Sequence, residues 1–493
     1  MESKKTVIVV GRGVLALQVL RIVGSGEDTS CILANHVGIK DIGFWSRYVK
    51  KHVKIPRPDI DLAAFAKSLG ELAQGKPQVT FIPVGEETMF LSKVSNQILQ
   101  ACAPQQVRIL TSPNNILATL YDNYQFQKCV ARIFLDEFGP PRTSLVHNEK
   151  DLKTSVQACL KAKDLCIIKS LSGGKTTNIV KREDFELSTN TPQDLFMSYN
   201  LLTFEGGTYR NSQASPRKLL NPCVVQEFVE GKKYATLSLC INGIVVAHTC
   251  YRSRQTATHG FSPIRELAPQ DQWKKSFDFV QRVTASMELT GHFHFDMVQR
   301  RNGDLVALGC NPYVTNGLSF FSPRFSAATA SRIKLAYLGS WEDLQDNIYP
   351  SVPSVTFHQI MTFLPTLACL FKGESGIERR ALLQDALASY DDVWWKRDPI
   401  CFFWMLVRFF SSIGYAFMLQ ILPFFLNLYD GKGRTVSEMV QHYVVNEVIV
   451  YDIPCEASIN SQFETIGGFQ DALLYRTWPE DPERARENEP LLV

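Results

Sequence analysis

Residues 293–313 read FHFDMVQRRNGDLVALGCNPY, a pattern that predicts two antiparallel strands joined by a turn at 301–304. Asp296 lies within the first strand, and Asn311 directly follows the second. A carboxylate and an amide carbonyl on facing strands are hard oxygen donors that suit Mg²⁺. The alternative is a strand end at which Asn311 caps a turn. Asp296 and Asn311 are therefore the candidate metal ligands.

A second segment, residues 165–175, reads LCIIKSLSGGK and places a lysine at the end of a buried strand. Lys169 ends the apolar run, and Gly173, Gly174 and Lys175 follow it in a glycine-rich loop. Glycines let a backbone approach phosphate oxygens closely, and the two ammonium groups supply opposite charge. The other interpretation is an ordinary loop beside a lysine. These four residues are candidates for contact with phosphate groups.

The segment 222–231, PCVVQEFVEG, predicts a strand that runs up to a glycine. The edge of such a strand can offer backbone N–H and C=O groups to the rim of an adenine base. The four candidates at this edge are Gln226, Glu227, Phe228 and Val229. Residues 235–251 then predict a hairpin whose two-residue turn is Asn242-Gly243. The middle third of the chain is therefore expected to be antiparallel α+β.

The first third alternates strand-like and helix-like patterns, which predicts a doubly wound α/β sheet ending near residue 112. Its first strand, TVIVV at residues 6–10, is continuously apolar, as in a buried parallel strand. Residues 11–16, GRGVLA, fit a dinucleotide-binding pattern, but such a site also needs an acid at the end of the second strand. That strand runs into Ala34-Asn35-His36, without an acid. The glycines therefore favour a close strand–helix turn, and an NAD oxidoreductase is not predicted.

Composition and charge indicate a folded protein without a nucleic-acid partner. Of 493 residues, 45% are apolar and 20% are charged, and 52 basic against 49 acidic residues leave a net charge of only +3. Twelve cysteines, scattered between Cys31 and Cys455 without a C-x-x-C pair, predict reduced and mostly buried thiols in the cytoplasm. No signal peptide is predicted, because only residues 7–10 form an apolar run after the charged start.

Taken in this order, the motifs resemble the ATP-grasp superfamily over about residues 1–335. The resemblance implies an N-terminal doubly wound α/β lobe followed by an α+β part, with ATP held between two lobes. It also implies that a substrate carboxylate attacks the γ-phosphate, after which an amine or another nucleophile displaces phosphate from the acyl phosphate. The expected cofactors are ATP and Mg²⁺, and the expected partners are a small-molecule carboxylate and a nucleophile.

The resemblance also assigns roles to individual residues. Residues 165–170 resemble the strand that carries the family's nucleotide lysine, and residues 226–231 resemble its hinge against adenine. Asp296 and Asn311 lie where the family has its paired metal strands. The candidates added by the resemblance are Lys128, near the start of a helix, and Arg252 and Arg254, which the family's pattern turns toward the acyl phosphate. For the two arginines, an exposed strand position is the other interpretation.

Four positions depart from the family's pattern. They are Gly309 for the usual metal glutamate, Lys233 for a ribose-contacting acid, Asn123 for a helix lysine and Tyr313 for the final arginine. Magnesium normally neutralises charge on transferring phosphates, so the loss of a ligand should weaken its binding. An active carboxylate–amine ligase is preferred. The alternative is a catalytically silent ATP-grasp relic that acts as a nucleotide-binding or membrane scaffold.

Four regions are expected along the chain: an α/β domain at 1–112, a nucleotide-binding domain at 113–345, an apolar helical region at 346–435 and a C-terminal extension and tail at 436–493. Within the third region, Phe409 to Tyr429 contains 21 residues without a charge. Contact with a membrane surface by monotopic insertion is preferred, and a buried hairpin is the alternative. The protein is therefore expected to be cytoplasmic and bound at a membrane surface. Near the N-terminus, residues 44–58 carry five Lys or Arg side chains. They are expected to form an exposed connection, and an anion-facing patch is the alternative.

Overall fold

The structure is a computed structural model of the full chain. It describes residues 5–26, 28–102, 107–134, 140–172, 177–187, 218–253, 264–325, 327–339, 359–361, 389–391 and 393–407. The predicted site residues Gly173, Gly174, Lys175 and Arg254 lie outside these ranges, as does the apolar run at 409–429.

The first part of the chain forms a parallel sheet with helices on both faces. Its elements are β1 (Lys5–Val10), α1 (Gly13–Val23), β2 (Thr29–Asn35), β3 (Val49–Lys54), α2 (Leu62–Ala73), β4 (Val79–Pro83), α3 (Glu87–Ala101) and β5 (Val107–Ile109). All neighbouring strands are parallel, in the order β3-β2-β1-β4-β5. Val7 and Val9 of β1 pack on the side of α1, whereas Ile8 and Val10 pack on the side of α2 and α3. The predicted doubly wound lobe is confirmed.

The basic stretch at 44–58 differs from the exposed connection that its sequence predicts. Residues 49–54 form β3, which pairs with β2 at the edge of the parallel sheet. Its exposed side chains are those of Lys50, Lys51 and Lys54. Positive charge on an edge strand discourages pairing with a second chain, so this stretch is compatible with a strand at the sheet edge.

A four-stranded antiparallel sheet follows. The elements of this part are α4 (Asn114–Tyr121), α5 (Asn123–Phe134), β6 (Thr143–Asn148), α6 (Glu149–Ala162), β7 (Leu165–Ser170), β8 (Thr177–Lys181), α7 (Arg182–Leu187) and β9 (Lys218–Glu227). The strand order is β6-β9-β7-β8. Cys166 and Ile168 of β7 pack with Val156 of α6, so this helix covers one face of the sheet.

The third sheet has seven strands. Its part of the chain contains β10 (Lys232–Ile241), β11 (Ile244–Ser253), β12 (Ile264–Leu267), α8 (Gln270–Ser286), β13 (Gly291–Gln299), β14 (Leu305–Asn311), α9 (Ala327–Leu338), β15 (Gln359–Met361) and β16 (Tyr390–Asp391). The order is β14-β13-β10-β11-β12-β15-β16, antiparallel except between β15 and β16. Both predicted hairpins are present. Asn242 and Gly243 have φ angles of 46° and 83°, as the two-residue turn requires.

Two hydrophobic cores enclose this third sheet. Phe293 and Phe295 of β13 pack with Phe279 of α8 on one face. Leu237 and Leu239 of β10 belong to a core on the other face that also contains α1 and α9. The N-terminal lobe therefore packs directly on one half of β10, which leaves the other half of that face for the site described below.

A C-terminal segment returns to the N-terminal lobe. Arg21 of α1 and Asp398 form an ion pair with a distance of 3.2 Å between Nε and Oδ2, and both side chains are at most 2% exposed. Asp398 also accepts hydrogen bonds from Ser46 Oγ at 2.9 Å and from the backbone N–H of Arg47 at 3.0 Å. Residues 400–407 are helical. Within the described ranges, no helix combines the length and the apolar character needed to cross a bilayer.

Candidate active site

The four-stranded sheet presents a lysine on the face that α6 leaves open. Side chains alternate along a strand, so Lys169 of β7 lies on the opposite face from Ile168. Its ammonium group donates a hydrogen bond to Oε1 of Gln226, on the neighbouring strand β9, at 2.8 Å. Nε2 of Gln226 donates in turn to Oγ1 of Thr143 at 3.1 Å. This network fixes Lys169, which is only 8% exposed, in one orientation.

The seven-stranded sheet presents Asp296 toward that lysine. Asp296 belongs to β13 and shares a sheet face with His294, two residues earlier. His294 Nε2 and Asp296 Oδ1 are 3.0 Å apart, and His294 Nδ1 lies 3.0 Å from Thr315 Oγ1. The Asp296 side chain is 54% exposed, and desolvation, which raises its pKa, is outweighed by the charges of His294, Lys169 and Lys233, so its pKa is lowered. Asp296 is therefore held as a carboxylate.

A second lysine, Lys233 of β10, reaches the same place. Ala235 lies directly opposite Asp296, and Lys233 lies directly opposite Val298, so Lys233 and Asp296 are diagonal neighbours on one face. Burial lowers the pKa of Lys233 to about 8, against the opposing effect of Asp296. Burial likewise lowers the pKa of Lys169 to about 8, and Asp296 again opposes the shift. We call the space between Lys169, Gln226, Lys233 and Asp296 the inter-sheet cleft.

Among the described residues, the cleft face of β13 and β14 carries one carboxylate donor and one amide donor, too few for a pair of carboxylate-bound ions. Asn311 pairs with His294 and Gly309 with Asp296, so both lie on the cleft face of β14. A Cβ atom on Gly309 would stand 3.2 Å from Oδ1 of Asn123, which occupies the space above the glycine. The Asn123 side chain is itself held there by donation to the carbonyl oxygen of Ser170 at 2.9 Å. Asp296 and Asn311 remain as the oxygen donors of this face.

The hinge between the two sheets lies beside a small apolar cluster. β9 ends at Glu227, and β10 begins at Lys232. Val229, between them, packs with Val298, Val306 and Leu308. Val298 is two residues from Asp296, a separation of about 7 Å along a strand. The apolar cluster around Val229 therefore lies about 7 Å from the charged Asp296. This spacing suits a flat heterocycle that packs on the cluster while its attached phosphates reach the cleft.

Two aromatic rings connect the cleft to the N-terminal lobe. Tyr313 Oη donates to Oδ1 of Asn311 at 3.3 Å, and its ring lies 6.1 Å from that of Tyr121. Tyr121 Oη donates to Glu86, in the loop after β4, at 3.4 Å. The carboxyl ends of the parallel strands, where α/β proteins bind ligands, therefore adjoin the inter-sheet cleft.

Comparison with known proteins rests on structure. No protein-family model matches the chain, and no curated protein matches it. The N5-carboxyaminoimidazole synthetase from Staphylococcus aureus in complex with ADP matches with a TM-score of 0.50 at 12% identity, over 76% of this chain and 86% of the synthetase. The ADP complex of an N5-carboxyaminoimidazole ribonucleotide synthetase matches with a TM-score of 0.51 at 11% identity, over 79% and 97%. The chain has the ATP-grasp fold.

Several of the predicted site residues come together in the structure. Lys169 and Gln226 face Asp296 across the inter-sheet cleft, and Asn311 lies on the cleft face beside Gly309. Val229 lines the hinge, next to the buried Phe228. The Glu227 side chain turns toward Lys163, with 3.9 Å between Oε1 and Nζ.

Arg252 does not reach the cleft. Arg252 of β11 forms an ion pair with Glu266 at 2.8 Å, on the face of the sheet that α8 covers. A β-bulge between Leu239 and Cys240 shifts the β10–β11 register by one residue. A shift of one residue exchanges the two faces, so Arg252 lies on the opposite face from Asp296. Arg265 of β12 lies on the cleft-side face, and it donates to the backbone oxygen of Asn316 at 2.9 Å.

Lys128 also lies away from the inter-sheet cleft. It lies on the exposed side of α5, where its ammonium group is 4.3 Å from the centre of the Tyr124 ring. Asn123, at the start of the same helix, is the residue that contacts the cleft strands. Sequence reasoning noted Asn123 and Lys233 as departures from the ATP-grasp pattern without assigning them to the site. The in-phase spacing of Lys233 with Ala235 is a signal for its face, but its place beside Asp296 depends on strand register.

A carboxylate from Glu205, Glu227 or Asp304 that faced Asp296 would replace the missing metal ligand and favour the enzyme over the silent relic. Glu227 is oriented toward Lys163, and Asp304 accepts a hydrogen bond from Asn302 within the β13–β14 turn. Glu205 lies outside the described residues. Across the described ranges, no cluster of three or more His, Cys, Asp or Glu side chains is arranged to hold a metal ion. In this part of the chain the side chains that accompany Asp296 are two lysines and a histidine.

Proposed function

We propose that the protein binds ATP in the inter-sheet cleft and uses it to join a carboxylate to an amine or a similar nucleophile. The observation that carries the proposal is the pairing of Lys169 with Gln226 directly opposite Asp296 and Lys233. These groups form a charged cleft beside the apolar hinge cluster around Val229. That combination supports adenine on the hinge and phosphates between the lysines.

The reaction has two steps. A carboxylate oxygen of the substrate attacks the γ-phosphorus, the bond from that phosphorus to the bridging oxygen breaks, and ADP leaves. The amine nitrogen then attacks the carbonyl carbon of the acyl phosphate, the C–O bond to phosphate breaks, and the nitrogen loses a proton. Lys169 orients the phosphates and balances their charge, because its own position is fixed by Gln226.

Asp296 and Asn311 would hold one magnesium ion together with the nucleotide. Such an ion supplies charge neutralisation on the phosphate oxygens. His294 keeps the Asp296 carboxylate oriented through the 3.0 Å contact between Nε2 and Oδ1. Arg254, outside the described residues, stays a prediction for contact with the acyl phosphate.

The small-molecule partners are proposed to bind at the carboxyl ends of β1, β2 and β4, which adjoin the cleft through Tyr121 and Tyr313. Arg12 follows β1 and acts electrostatically on His36 and Glu87, which follow β2 and β4. Burial raises the pKa of Glu87 to about 7, although Arg12 opposes the shift. The positive charge of Arg12 suits the carboxylate of an acid substrate. The Glu87 carboxyl group, which exchanges protons near neutral pH, suits an amine substrate that must lose a proton.

The test is phosphate release from ATP by the purified protein, screened against mixtures of carboxylic acids and amines. The Asp296→Asn variant should abolish phosphate release without loss of fold, and Asp304→Asn, in the exposed turn, should leave it unchanged. Undiminished release by Asp296→Asn places the metal site elsewhere. Absence of turnover by the parent protein with every acid and amine supports the alternative, a silent nucleotide-binding relic.

We also propose that the C-terminal apolar region contacts a lipid surface on the cytoplasmic side of a membrane. Ile400, Phe403 and Val407 share one side of the helix at 400–407 and are 54–55% exposed. They immediately precede the charge-free run at 409–429. Flotation of the protein with anionic vesicles tests the proposal. We expect the parent protein to be recovered with the vesicles. A variant with Ile400, Phe403 and Val407 changed to Ser should lose this binding. Recovery of the parent protein wholly in the soluble fraction contradicts the proposal.

A further inference from the structure

Resting on the proposed nucleotide site, we propose that the ammonium group of Lys233 neutralises phosphate charge in the place where a carboxylate at position 309 would have held magnesium. The cleft would then bind a nucleoside diphosphate or triphosphate without requiring a divalent ion. Three features support this role: the position of Lys233, the narrow space above Gly309, and the charge of the cleft.

Strand register fixes the position of Lys233. β10 and β13 pair without irregularity, with Lys233 opposite Val298 and Ala235 opposite Asp296. Lys233 therefore starts on the cleft face, one diagonal step from Asp296, within reach of a long side chain. The strand starts in close contact with its neighbour, because a Cβ atom on Gly231 would lie 1.9 Å from the carbonyl oxygen of Gln299. Lys232, which directly precedes Lys233 in β10, is exposed and points to the opposite face of the sheet.

The space above Gly309 is narrow for a larger side chain. Oδ1 of Asn123 lies 3.2 Å from where a Cβ atom of residue 309 would be. Asn123 is anchored on both sides, by its side-chain donation to Ser170 at 2.9 Å and by backbone donation to the carbonyl of Leu171 at 2.8 Å. A side chain at 309 would require a shift of the asparagine that ties α5 to the end of β7. The surrounding packing therefore disfavours a carboxylate at this position.

The side chains around the cleft carry a net positive charge, whereas a site with one lysine and two carboxylates would carry a net negative charge. Lys169 and Lys233 contribute two ammonium groups, and Asp296 contributes one carboxylate. A divalent cation entering here meets two like charges, whereas a polyphosphate meets two opposite ones. Such a site attracts phosphate oxygens directly and gains less from magnesium.

The experiment measures the affinity of the full-length protein for ADP by calorimetry, once with excess Mg²⁺ and once with EDTA. For the parent protein we expect the two dissociation constants to agree within about threefold. Lys233→Ala should weaken ADP binding at least tenfold in EDTA, with part of the loss recovered by Mg²⁺. The matched control Lys232→Ala removes an adjacent exposed lysine and should behave as the parent protein in both conditions.

Several results would overturn the inference. ADP binding by the parent protein that falls more than tenfold in EDTA contradicts it while leaving the nucleotide site intact. Parent-like affinity of Lys233→Ala in EDTA contradicts it as well. Absence of ADP binding in both conditions refutes the nucleotide site together with the inference. If Lys233→Ala does not fold, Lys233→Arg retains the charge and Lys233→Met retains the aliphatic stem, and only the arginine variant should bind ADP in EDTA.

Discussion

At the scale of single residues, the cleft depends on lysines whose surroundings are unusual for that side chain. Lys169 is almost fully buried. Its ammonium group donates one hydrogen bond to Gln226, and Asp296 supplies a nearby negative charge. A buried ammonium group without such partners would be costly. The arrangement is therefore best explained by an anion that completes the site.

Replacement of Lys169 should affect nucleotide binding more than it affects folding. Lys169→Ala removes a charge-assisted contact and should weaken ATP binding at least tenfold, which corresponds to about 1.4 kcal/mol. Lys128→Ala is the matched control, because Lys128 is exposed on α5 and contacts Tyr124. Calorimetric titration of both variants with ATP checks the prediction. Unchanged ATP affinity in a folded Lys169→Ala protein would contradict it.

The same lysines predict a dependence on pH. The pKa values of Lys169 and Lys233 are both lowered to about 8 by burial. Phosphate oxygens favour the charged form, so nucleotide binding should take up protons near pH 8, about half a proton per lysine where pH equals pKa. Affinity should fall as pH rises above 8. Calorimetry in two buffers of different ionisation enthalpy measures the uptake, and affinity that rises with pH contradicts it.

Stability should change in the opposite direction over part of this range. Between about pH 8 and pH 10 the unfolded chain keeps these lysines protonated while the folded chain releases protons, so the unfolded state binds more protons. The free energy of unfolding without nucleotide should therefore rise with pH in that window. His294 and Asp296 also face these lysines, and the lowered pKa of Asp296 adds stability that is lost only at acidic pH.

At the scale of elements, the C-terminal segment is part of the N-terminal lobe's packing. Arg21 of α1 and Asp398 are both nearly inaccessible to solvent, and Trp395 lies 5.4 Å from the Arg21 guanidinium. Arg21 also donates to the carbonyl of Val393 at 2.8 Å. An ion pair of this kind holds residues 393–407 against α1, far from their position in sequence.

Breaking this pair should destabilise the fold substantially. Asp398→Ala leaves the Arg21 charge buried without its partner, a change that typically costs about 3–5 kcal/mol. The exposed pair Arg301–Glu230 provides the control, since Glu230→Ala should cost at most about 1 kcal/mol. Urea denaturation of both variants measures the difference. Equal midpoints for Asp398→Ala and the parent protein would contradict the structural role given to this pair.

At the scale of the whole molecule, two sheets that follow one another in the chain meet at one cleft, and the N-terminal lobe packs on the same face of the second sheet beside it. A ligand in the cleft contacts both sheets at once. Its binding energy is then shared between two units that are joined by the short hinge at 228–231.

Nucleotide should therefore slow hydrogen exchange in both sheets together. With ADP at 100 times its dissociation constant, the expected stabilisation is about 2.7 kcal/mol. Peptides covering β7, β9 and β13 should gain protection, whereas β3, at the far edge of the parallel sheet, should not change. Mass spectrometry of hydrogen–deuterium exchange measures this, and protection confined to one of the two sheets would contradict a shared cleft.

The sequence by itself determined the local features. The doubly wound lobe, both hairpins and the α+β part follow from apolar periodicity and turn chemistry, which act over a few residues. The Asn242-Gly243 turn is an example, because its backbone angles depend on those two residues. The assignment of Lys169 and Asp296 to candidate sites rested on their positions within strands, which the same local pattern supplies.

Only the tertiary structure decided which faces and which distant residues meet. Arg252 lies on the wrong face for the cleft because a bulge opposite Leu239–Cys240, with Val246 as the extra residue of β11, shifts the register, and the Asn242-Gly243 turn does not predict that shift. Asn123 above Gly309, Lys233 beside Asp296 and Asp398 on Arg21 are likewise contacts between separate elements. Local periodicity fixes the face of a side chain within its own strand or helix, but register and packing fix what stands opposite it.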